Sequence, residues 1–166
     1  MQNLDEKFMG LALEEACMAA DEGEVPVGSV LVINGEPIVR AHNLREALSD
    51  PTAHAEMLAL REASQRLARW RLSDATLYVT MEPCPMCAGA AVQARIARIV
   101  YGCRDAKSGA CGSVFDITRE LKLNHRVEVT GGILENACQE LVQNFFAKLR
   151  QKIGNEERWP SPVEGD

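Results

Sequence analysis

The chain has 166 residues, of which 46% are hydrophobic and 5% aromatic, and its formal net charge is −6. A chain of this length buries roughly 70% of its unfolded surface as one domain, so it needs neither disulfides nor a metal merely to build a core. The acidic balance and the few aromatic residues argue against a uniformly basic or broadly aromatic nucleic-acid surface. The chain shows no secretory leader and no long apolar run, which predicts no membrane partner, a cytoplasmic location and reduced cysteines.

The spacing of apolar residues divides the chain into alternating helices and strands. Asn34-Gly35 separates the first two predicted strands and is a strong hairpin signal. Asp50-Pro51 is typical of a helix start, with aspartate as the cap and proline in the first turn. In chain order we expect a helix over 4–20, strands over 27–33 and 38–41, a helix over 50–67, a strand over 75–81, a helix over 84–96, strands over 99–102 and 126–130, and a helix over 135–152.

Strands that alternate with helices after an initial hairpin predict an α/β protein with a five-stranded mixed sheet and helices on both faces. Residues 104–112 have the composition of a loop, and for residues 114–121 a short helix is one interpretation. We expect residues 1–152 to form a single domain. Residues 153–166 hold four acids and two prolines and are predicted to be a disordered tail.

Two short segments carry the chemistry, His54-Ala55-Glu56 and Pro83-Cys84-Pro85-Met86-Cys87. One imidazole and two thiolates are three soft ligands, the number that a catalytic zinc takes when its fourth position is left for water. Cysteines three apart at the start of a helix share one face, and the positive helix N-terminus favours their thiolates. His54 and Glu56 are too far apart around a helix to bind one ion, so Glu56 is expected beside the water.

Other roles for the cysteines stay open from the sequence alone. Cys-Pro-x-Cys is also a redox motif, although that reading leaves His54 and Glu56 without a function. A structural four-cysteine zinc site would add Cys103 and Cys111 to the pair, at an unusual spacing. Cys17 and Cys138 lie on predicted helix faces, where buried and inert thiols are expected.

The chemistry expected of a catalytic site is hydrolytic deamination. Zinc lowers the pKa of bound water to about 7, so hydroxide is available to attack an amine-bearing ring carbon. Glu56 would take the proton of that water, pass it to the adjacent ring nitrogen and then protonate the departing ammonia. One carboxylate would thus serve as base and acid in turn.

Beyond this motif, five segments resemble bacterial tRNA-specific adenosine deaminases, members of the zinc cytidine/deoxycytidylate deaminase superfamily. The H-x-E and P-C-x-x-C pattern is shared across zinc base deaminases, whereas the loop and the segment before the fifth strand resemble the tRNA enzymes. The segments are EVPVG at 24–28, DPTAHAE at 50–56, LYVTMEPCPMCAGA at 77–90, RDAKSGA at 104–110 and NHRVEV at 124–129.

The resemblance implies a three-layer α/β/α cytidine-deaminase-like fold, a homodimer, and conversion of adenosine to inosine at the first anticodon position of a tRNA. It implies that His54, Cys84 and Cys87 bind one Zn²⁺ per subunit and that Glu56 transfers protons. It also implies contacts to the substrate and the anticodon loop from Pro26, Val27, Asn43, Ala55, Asp105, Lys107, Asn124 and Phe145, or the neighbouring Phe146.

Two alternatives to the tRNA deaminase remain at this point. A free nucleobase or nucleoside deaminase acting on guanine, cytosine or cytidine would use the same zinc chemistry. A non-catalytic zinc-stabilised RNA-binding protein or a redox protein would need the cysteines but not Glu56. Phosphate contacts for an RNA could come from arginines concentrated in residues 61–71 and from the excess of bases in residues 90–126.

Overall fold

A five-stranded mixed sheet with helices on both faces forms the centre of the computed structural model, which describes residues 3–155. In the sheet, β1 lies antiparallel to both β2 and β3, while β3, β4 and β5 run parallel in the order β2-β1-β3-β4-β5. The elements are α1 Leu4–Asp21, β1 Gly28–Ile33, β2 Glu36–His42, α2 Arg45–Leu48, α3 Ala55–Leu67, β3 Ala75–Met81, α4 Pro85–Gln93, β4 Arg98–Cys103, β5 Glu128–Thr130 and α5 Glu135–Asn155.

The layers follow from the two-residue period of the central strands. Alternate side chains of a strand point to opposite faces of the sheet, and in β1 Leu31 and Ile33 join one core cluster while Val30 and Val32 join the other. The first cluster includes α3 and α4, and the second includes α1 and Cys138 of α5. The predicted three-layer α/β/α fold with a mixed sheet is therefore confirmed.

Helix α1 packs unusually close to the sheet at Gly28. A Cβ atom at this position would lie 2.0 Å from the carbonyl oxygen of Ala12. Only glycine therefore allows the first strand to begin beneath the helix. The close approach fixes the start of β1, and with it the segment that leads into the candidate site.

A half-buried ion pair fixes the N-terminal end of α1. Both terminal guanidinium nitrogens of Arg98, Nη1 and Nη2, donate to the Asp5 carboxylate at 2.9 Å, and the Tyr78 hydroxyl donates to the same carboxylate at 2.8 Å. The hydrogen bond from Arg98 lowers the pKa of Asp5. Since Tyr78 and Arg98 lie on β3 and β4, this contact holds α1 against the parallel pair of strands that leads to the site.

Three expectations about the elements were wrong. Helix α3 begins at Ala55 rather than at residue 50, because the Asp50 carboxylate accepts hydrogen bonds from the Thr52 N–H and hydroxyl and closes a separate turn. The short helix α2 was not predicted. Residues 114–121 contain no helix and form turns after an isolated bridge between Cys111 and Asp116.

The remaining differences concern ends and cysteines. Helix α5 continues to Asn155, three residues beyond the predicted end, and the rest of the predicted tail lies outside the described residues. Cys138 is buried as expected, whereas Cys17 is exposed. Within residues 3–155, no helix combines the length and apolar character needed to cross a membrane.

His42 joins β2 to α1 through two carboxylates. Its Nδ1 lies 2.8 Å from Glu15 Oε2 and its Nε2 lies 3.0 Å from Glu22 Oε2, while Arg40 also binds Glu15. Burial opposes the charged imidazolium, but the hydrogen bonds to Glu15 and Glu22 outweigh it, so the pKa of His42 is raised. The charged form therefore stabilises the fold.

We predict that His42→Gln lowers the free energy of unfolding by about 1 kcal/mol near pH 6 and by much less near pH 9. A raised folded-state pKa contributes stability that is fully present below the unfolded-state value and is lost as the pH rises through the folded-state value. Urea unfolding of both proteins across this range measures the difference. A difference that stays constant with pH would contradict the prediction.

Candidate metal centre and substrate cavity

Two helices on the same face of the sheet begin beside each other. His54 is the N-cap residue of α3, rather than part of its first turn as predicted. Cys84 is the N-cap residue of α4, with Pro85 at the first helical position, where its missing N–H leaves no donor unpaired. Because α4 follows the end of β3 after only three residues, both cysteines lie close to the carboxyl end of this central strand.

The structure brings the three predicted ligand side chains together. The Nδ1 atom of His54 lies 3.6 Å from the Sγ atoms of both Cys84 and Cys87. The three donor atoms lie within 4.8 Å of one another, and the structure groups no other set of three metal-binding side chains within residues 3–155. Neither Cys103 nor Cys111 belongs to this group, so a four-cysteine site receives no support.

Charge in this cluster is concentrated on one sulfur. The hydrogen bond from the Cys87 thiol, reinforced by His54, lowers the pKa of Cys84 to about 4. The same hydrogen bond and burial raise the pKa of Cys87. The hydrogen bond to Cys84 raises the pKa of His54 in spite of burial. One nitrogen and two sulfur donors with this anionic character fit a zinc ion.

Glu56 lies in the first turn of α3 and is only 3% exposed. Its Oε2 atom has no hydrogen-bond partner among the described residues. Burial, together with the negative charge of Cys84, raises the pKa of this carboxyl to about 7, although its own backbone N–H and His54 oppose the shift. A buried oxygen without a partner costs free energy unless something outside the chain binds it.

These groups lie at a cavity of about 170 Å³. Three residues expected to contact the substrate, Val27, Asn43 and Asp105, line it. Pro26 is buried and does not line the cavity, because its neighbours occupy the wall. Ala55 is fully buried, and its carbonyl accepts a hydrogen bond from the Ser29 hydroxyl at 2.8 Å. The lining residues are Val25, Val27, Asn43, Arg45, His54, Glu56, Met81, Glu82, Cys84, Asp105 and Ser108.

A groove of about 350 Å³ adjoins the cavity and shares Val25, Asn43 and Arg45 with it. Its other side is formed by α5, where the rings of Phe145 and Phe146 meet edge to face at a centroid distance of 5.4 Å. Both rings therefore line the groove.

Two predicted contacts lie away from the cavity. Lys107 lines a separate groove with Phe146 and Arg150 of α5. Asn124 is exposed, and the next residue, His125, contacts the Ile96 carbonyl at 2.7 Å, just before β4 begins. Since the cavity lies beyond the other end of β4, the protomer does not bring Asn124 to it.

The sequence interpretation missed several lining residues, of which Glu82 and Arg45 are charged. Glu82 had a usable signal, because it stands between the predicted strand and Pro83-Cys84 and must lie near the metal ligands. Arg45 had none, since α2 is only four residues long and shows no periodicity.

The matching family model describes the cytidine and deoxycytidylate deaminase zinc-binding region and covers residues 2–103. The tRNA-specific adenosine deaminase of Bacillus subtilis (strain 168) is 51% identical over 148 residues, which are 89% of this chain and 92% of that protein.

Solved structures of similar proteins agree with this relationship. One solved structure is that of a tRNA:A34 deaminase, described as performing A-to-I editing at the wobble position of transfer RNA. It is 44% identical to this chain with a TM-score of 0.79, and the match covers 81% of this chain and 98% of that chain. The guanine deaminase of Nitrosomonas europaea is 24% identical with a TM-score of 0.75, covering 86% of this chain and 84% of that chain, and shows the fold alone. The chain therefore belongs to the family of tRNA-specific adenosine deaminases, within the zinc-binding cytidine and deoxycytidylate deaminases.

Proposed function

We propose that this protein is a zinc-dependent hydrolase that deaminates adenosine to inosine at the first anticodon position of a tRNA. The observation that carries the proposal is the placement of an unpartnered buried carboxylate, Glu56, beside the His54, Cys84 and Cys87 donors in one cavity. The tRNA substrate is supported by the Bacillus subtilis relative, a tRNA-specific adenosine deaminase that matches 89% of the chain at 51% identity.

In this proposal, His54 Nδ1 and the Sγ atoms of Cys84 and Cys87 would hold the zinc ion. When bound, zinc supplies a Lewis acid that lowers the pKa of water to about 7. The two helix N-termini orient the donors and stabilise the thiolates. Because thiolate ligands require reduced cysteines, the cytoplasm is the proposed location.

Glu56 moves the protons in the proposed reaction. Its Oε2 is free to accept a proton from the attacking water and deliver it to the ring nitrogen next to the reacting carbon. Glu56 would then take the remaining proton from the oxygen added to that carbon and transfer it to the amino group, which leaves as ammonia. Burial raises the pKa of this carboxyl, which favours a group that both accepts and returns a proton. Water and adenosine are consumed, and inosine and ammonia are released.

The cavity suits one base taken out of its stack, as an enzyme acting on a base inside a loop requires. Val27 would form its wall, and the buried Asn43 amide would hydrogen-bond the purine or its ribose. Asp105 would contact the substrate from the opposite loop, and Ala55 would fix the backbone beside Glu56.

The neighbouring grooves offer sites for the rest of the anticodon loop. Phe145 and Phe146 present rings on which a flanking base could stack. Lys107 and Arg150 line a groove beside Phe146 and would bind phosphate. The arginines that follow α3 are engaged elsewhere, since Arg69 binds Asp74 and Arg71 stacks on Trp70.

We predict that Glu56→Gln reduces the rate of inosine formation in anticodon stem-loop RNA on the order of a thousandfold, because the proton carrier is lost. Zinc content should remain about one per chain. The matched control is Glu62→Gln, an exposed glutamate on the same helix that binds Arg66. An active Glu56→Gln variant would contradict the mechanism, and turnover of guanine, cytosine or cytidine with unmodified RNA would establish the free-base alternative.

Removal of a proposed ligand should release the metal. Cys87→Ala is expected to lower zinc to well below one per chain in metal analysis, because only two protein ligands remain. Cys138→Ala removes another buried thiol outside the donor group and should keep its zinc. Full zinc content in the Cys87 variant would refute the assigned ligand set.

We also propose that the protein is a homodimer that pairs through the outer surface of α3 and α4. This surface carries a groove of about 550 Å³ with a largely apolar lining that includes Met57, Leu60, Ala90 and Ala94. Trp70, which follows α3, is 57% exposed there. Exposed apolar surface of this kind marks a protein interface, and tryptophan is a frequent binding hot spot.

Trp70→Glu should therefore weaken the dimer by about thirtyfold or more, measured as molar mass against concentration by light scattering. Ile153→Glu, an equally exposed apolar residue on α5, serves as the control and should leave the mass unchanged. A Trp70 variant with the dimeric mass of the parent protein would show that the subunits pair elsewhere.

A further inference from the structure

Glu82 is a buried carboxylate without a cationic partner. It is 2% exposed, and none of the ion pairs found within residues 3–155 includes it. It stands between the end of β3 and Pro83, two residues before Cys84, and lines the substrate cavity. A buried charge is costly unless hydrogen bonds compensate for it, so the partners of Glu82 reveal what it does.

Those partners all belong to the loop that follows β4. Oε1 of Glu82 accepts hydrogen bonds from the backbone N–H groups of Cys111 and Ser113, both at 3.1 Å. Oε2 accepts from the Asp105 N–H at 3.1 Å and from the Ser113 hydroxyl. Four donors drawn from nine residues of chain therefore converge on one carboxylate.

The loop is closed tightly around this carboxylate. A Cβ atom at Gly109 would lie 2.4 Å from Glu82 Oε2, so the backbone passes directly against it. The N–H of Ala110 donates to the Pro83 carbonyl at 2.8 Å, which joins the loop to the segment before Cys84. The position of residues 105–113 thus depends on Glu82 and its immediate neighbour.

The same loop forms part of the cavity wall. Asp105 and Ser108 line the cavity, and the Ser108 hydroxyl donates to Asp105 Oδ2 at 2.6 Å. The Asp105 N–H is held by Glu82, so both the backbone and the side chain of Asp105 are fixed. The buried carboxylate therefore sets the direction in which this wall faces the substrate.

We propose that Glu82 is a positioning residue that fixes residues 105–113 as the substrate-facing wall and thereby sets the affinity for the RNA substrate. The inference rests on the proposed function. Glu82 takes no part in proton transfer, since each of its oxygens is already occupied by two donors. Its loss should therefore raise KM and leave kcat nearly unchanged.

The chemical nature of the side chain matters for this role. A carboxylate accepts hydrogen bonds on both oxygens, whereas glutamine of the same shape presents an NH₂ group at one of them. In Glu82→Gln that group must face the Asp105 N–H or the two N–H groups of Cys111 and Ser113. At least one loop amide then loses its acceptor, and the loop loosens without a change in side-chain volume.

The test compares zinc-loaded Glu82→Gln with the parent enzyme on anticodon stem-loop RNA. We expect KM to rise about tenfold, kcat to stay within about threefold, and zinc to remain near one per chain. Ser113→Ala removes a single donor and should raise KM by about threefold. Glu15→Gln, which alters a buried carboxylate between Arg40 and His42, is the matched control and should change neither kinetic constant.

Hydrogen exchange separates this role from a general effect on stability. In Glu82→Gln, the amides of residues 105, 111 and 113 should exchange at least about tenfold faster, while those of α1 and β1 stay unchanged. A fall in kcat at constant KM, loss of zinc, or unchanged exchange at the three amides would overturn the proposal.

Two further outcomes are distinguishable. If Glu82→Gln does not fold, Ser113→Ala decides the question, and a KM equal to that of the parent enzyme would overturn the proposal. If the parent protein forms no inosine in RNA, the proposed function fails. The exchange comparison then still decides whether Glu82 holds the loop.

Discussion

The structure depends on one electrostatic constraint, the placement of three ionisable acids around a single imidazole. Cys84, Cys87 and Glu56 are all close to His54, and two of them are almost fully buried. Like charges at this separation cannot all be ionised without a cation among them. The hydrogen bond between the two sulfurs lowers the pKa of Cys84 and raises that of Cys87. A divalent ion bound by these donors would relieve the repulsion, which would couple metal binding to acidity at this site.

The fold satisfies this constraint through its topology. The parallel pairing of β3 with β4 requires a crossover, and α4 supplies it with its N-terminus at the end of β3. Helix α3 packs on the same face and starts beside α4, so two positive helix ends meet at the anionic cluster. Residues thirty positions apart in the sequence thus converge because both helices are needed to cover one face of the sheet.

The sequence separation of each interaction decides how much of the fold and of the site could be predicted from the sequence. Strand β3 and the start of α4 were predicted closely, since a β-branched run and a proline at the first helical position are local signals. The convergence of His54 with the two cysteines was predicted from the H-x-E and P-C-x-x-C pattern, whose one imidazole and two thiolates make a zinc ligand set. The start of α3 was misplaced because the Asp50 side chain closes its own turn with Thr52, a local competitor that resembles a helix cap.

The helix α2 and the fixed conformation of the loop after β4 could not be predicted, and they share a different cause, which is dependence on a distant buried carboxylate. Glu24 is 2% exposed and accepts hydrogen bonds from the N–H groups of Glu46 and Ala47, so α2 forms where a side chain 22 residues before Glu46 caps it. Glu82 holds the loop after β4 in the same manner. The spacing of apolar residues in either segment cannot indicate such a contact, because the carboxylate that accepts the hydrogen bonds lies elsewhere in the chain.

These two carboxylates explain how loops without regular structure can form a defined cavity. Arg45 on α2 and Asp105 on the loop after β4 both line the cavity, and each belongs to a segment held by one buried carboxylate. Hydrogen bonds to a buried charge are stronger than those between neutral groups, so a few of them can order a loop that lacks a hydrophobic core of its own. The metal ligands and the loop walls therefore rely on different interactions, helix starts for the first and buried carboxylates for the second. A change in the walls can alter which substrate enters without disturbing the donors that bind the metal.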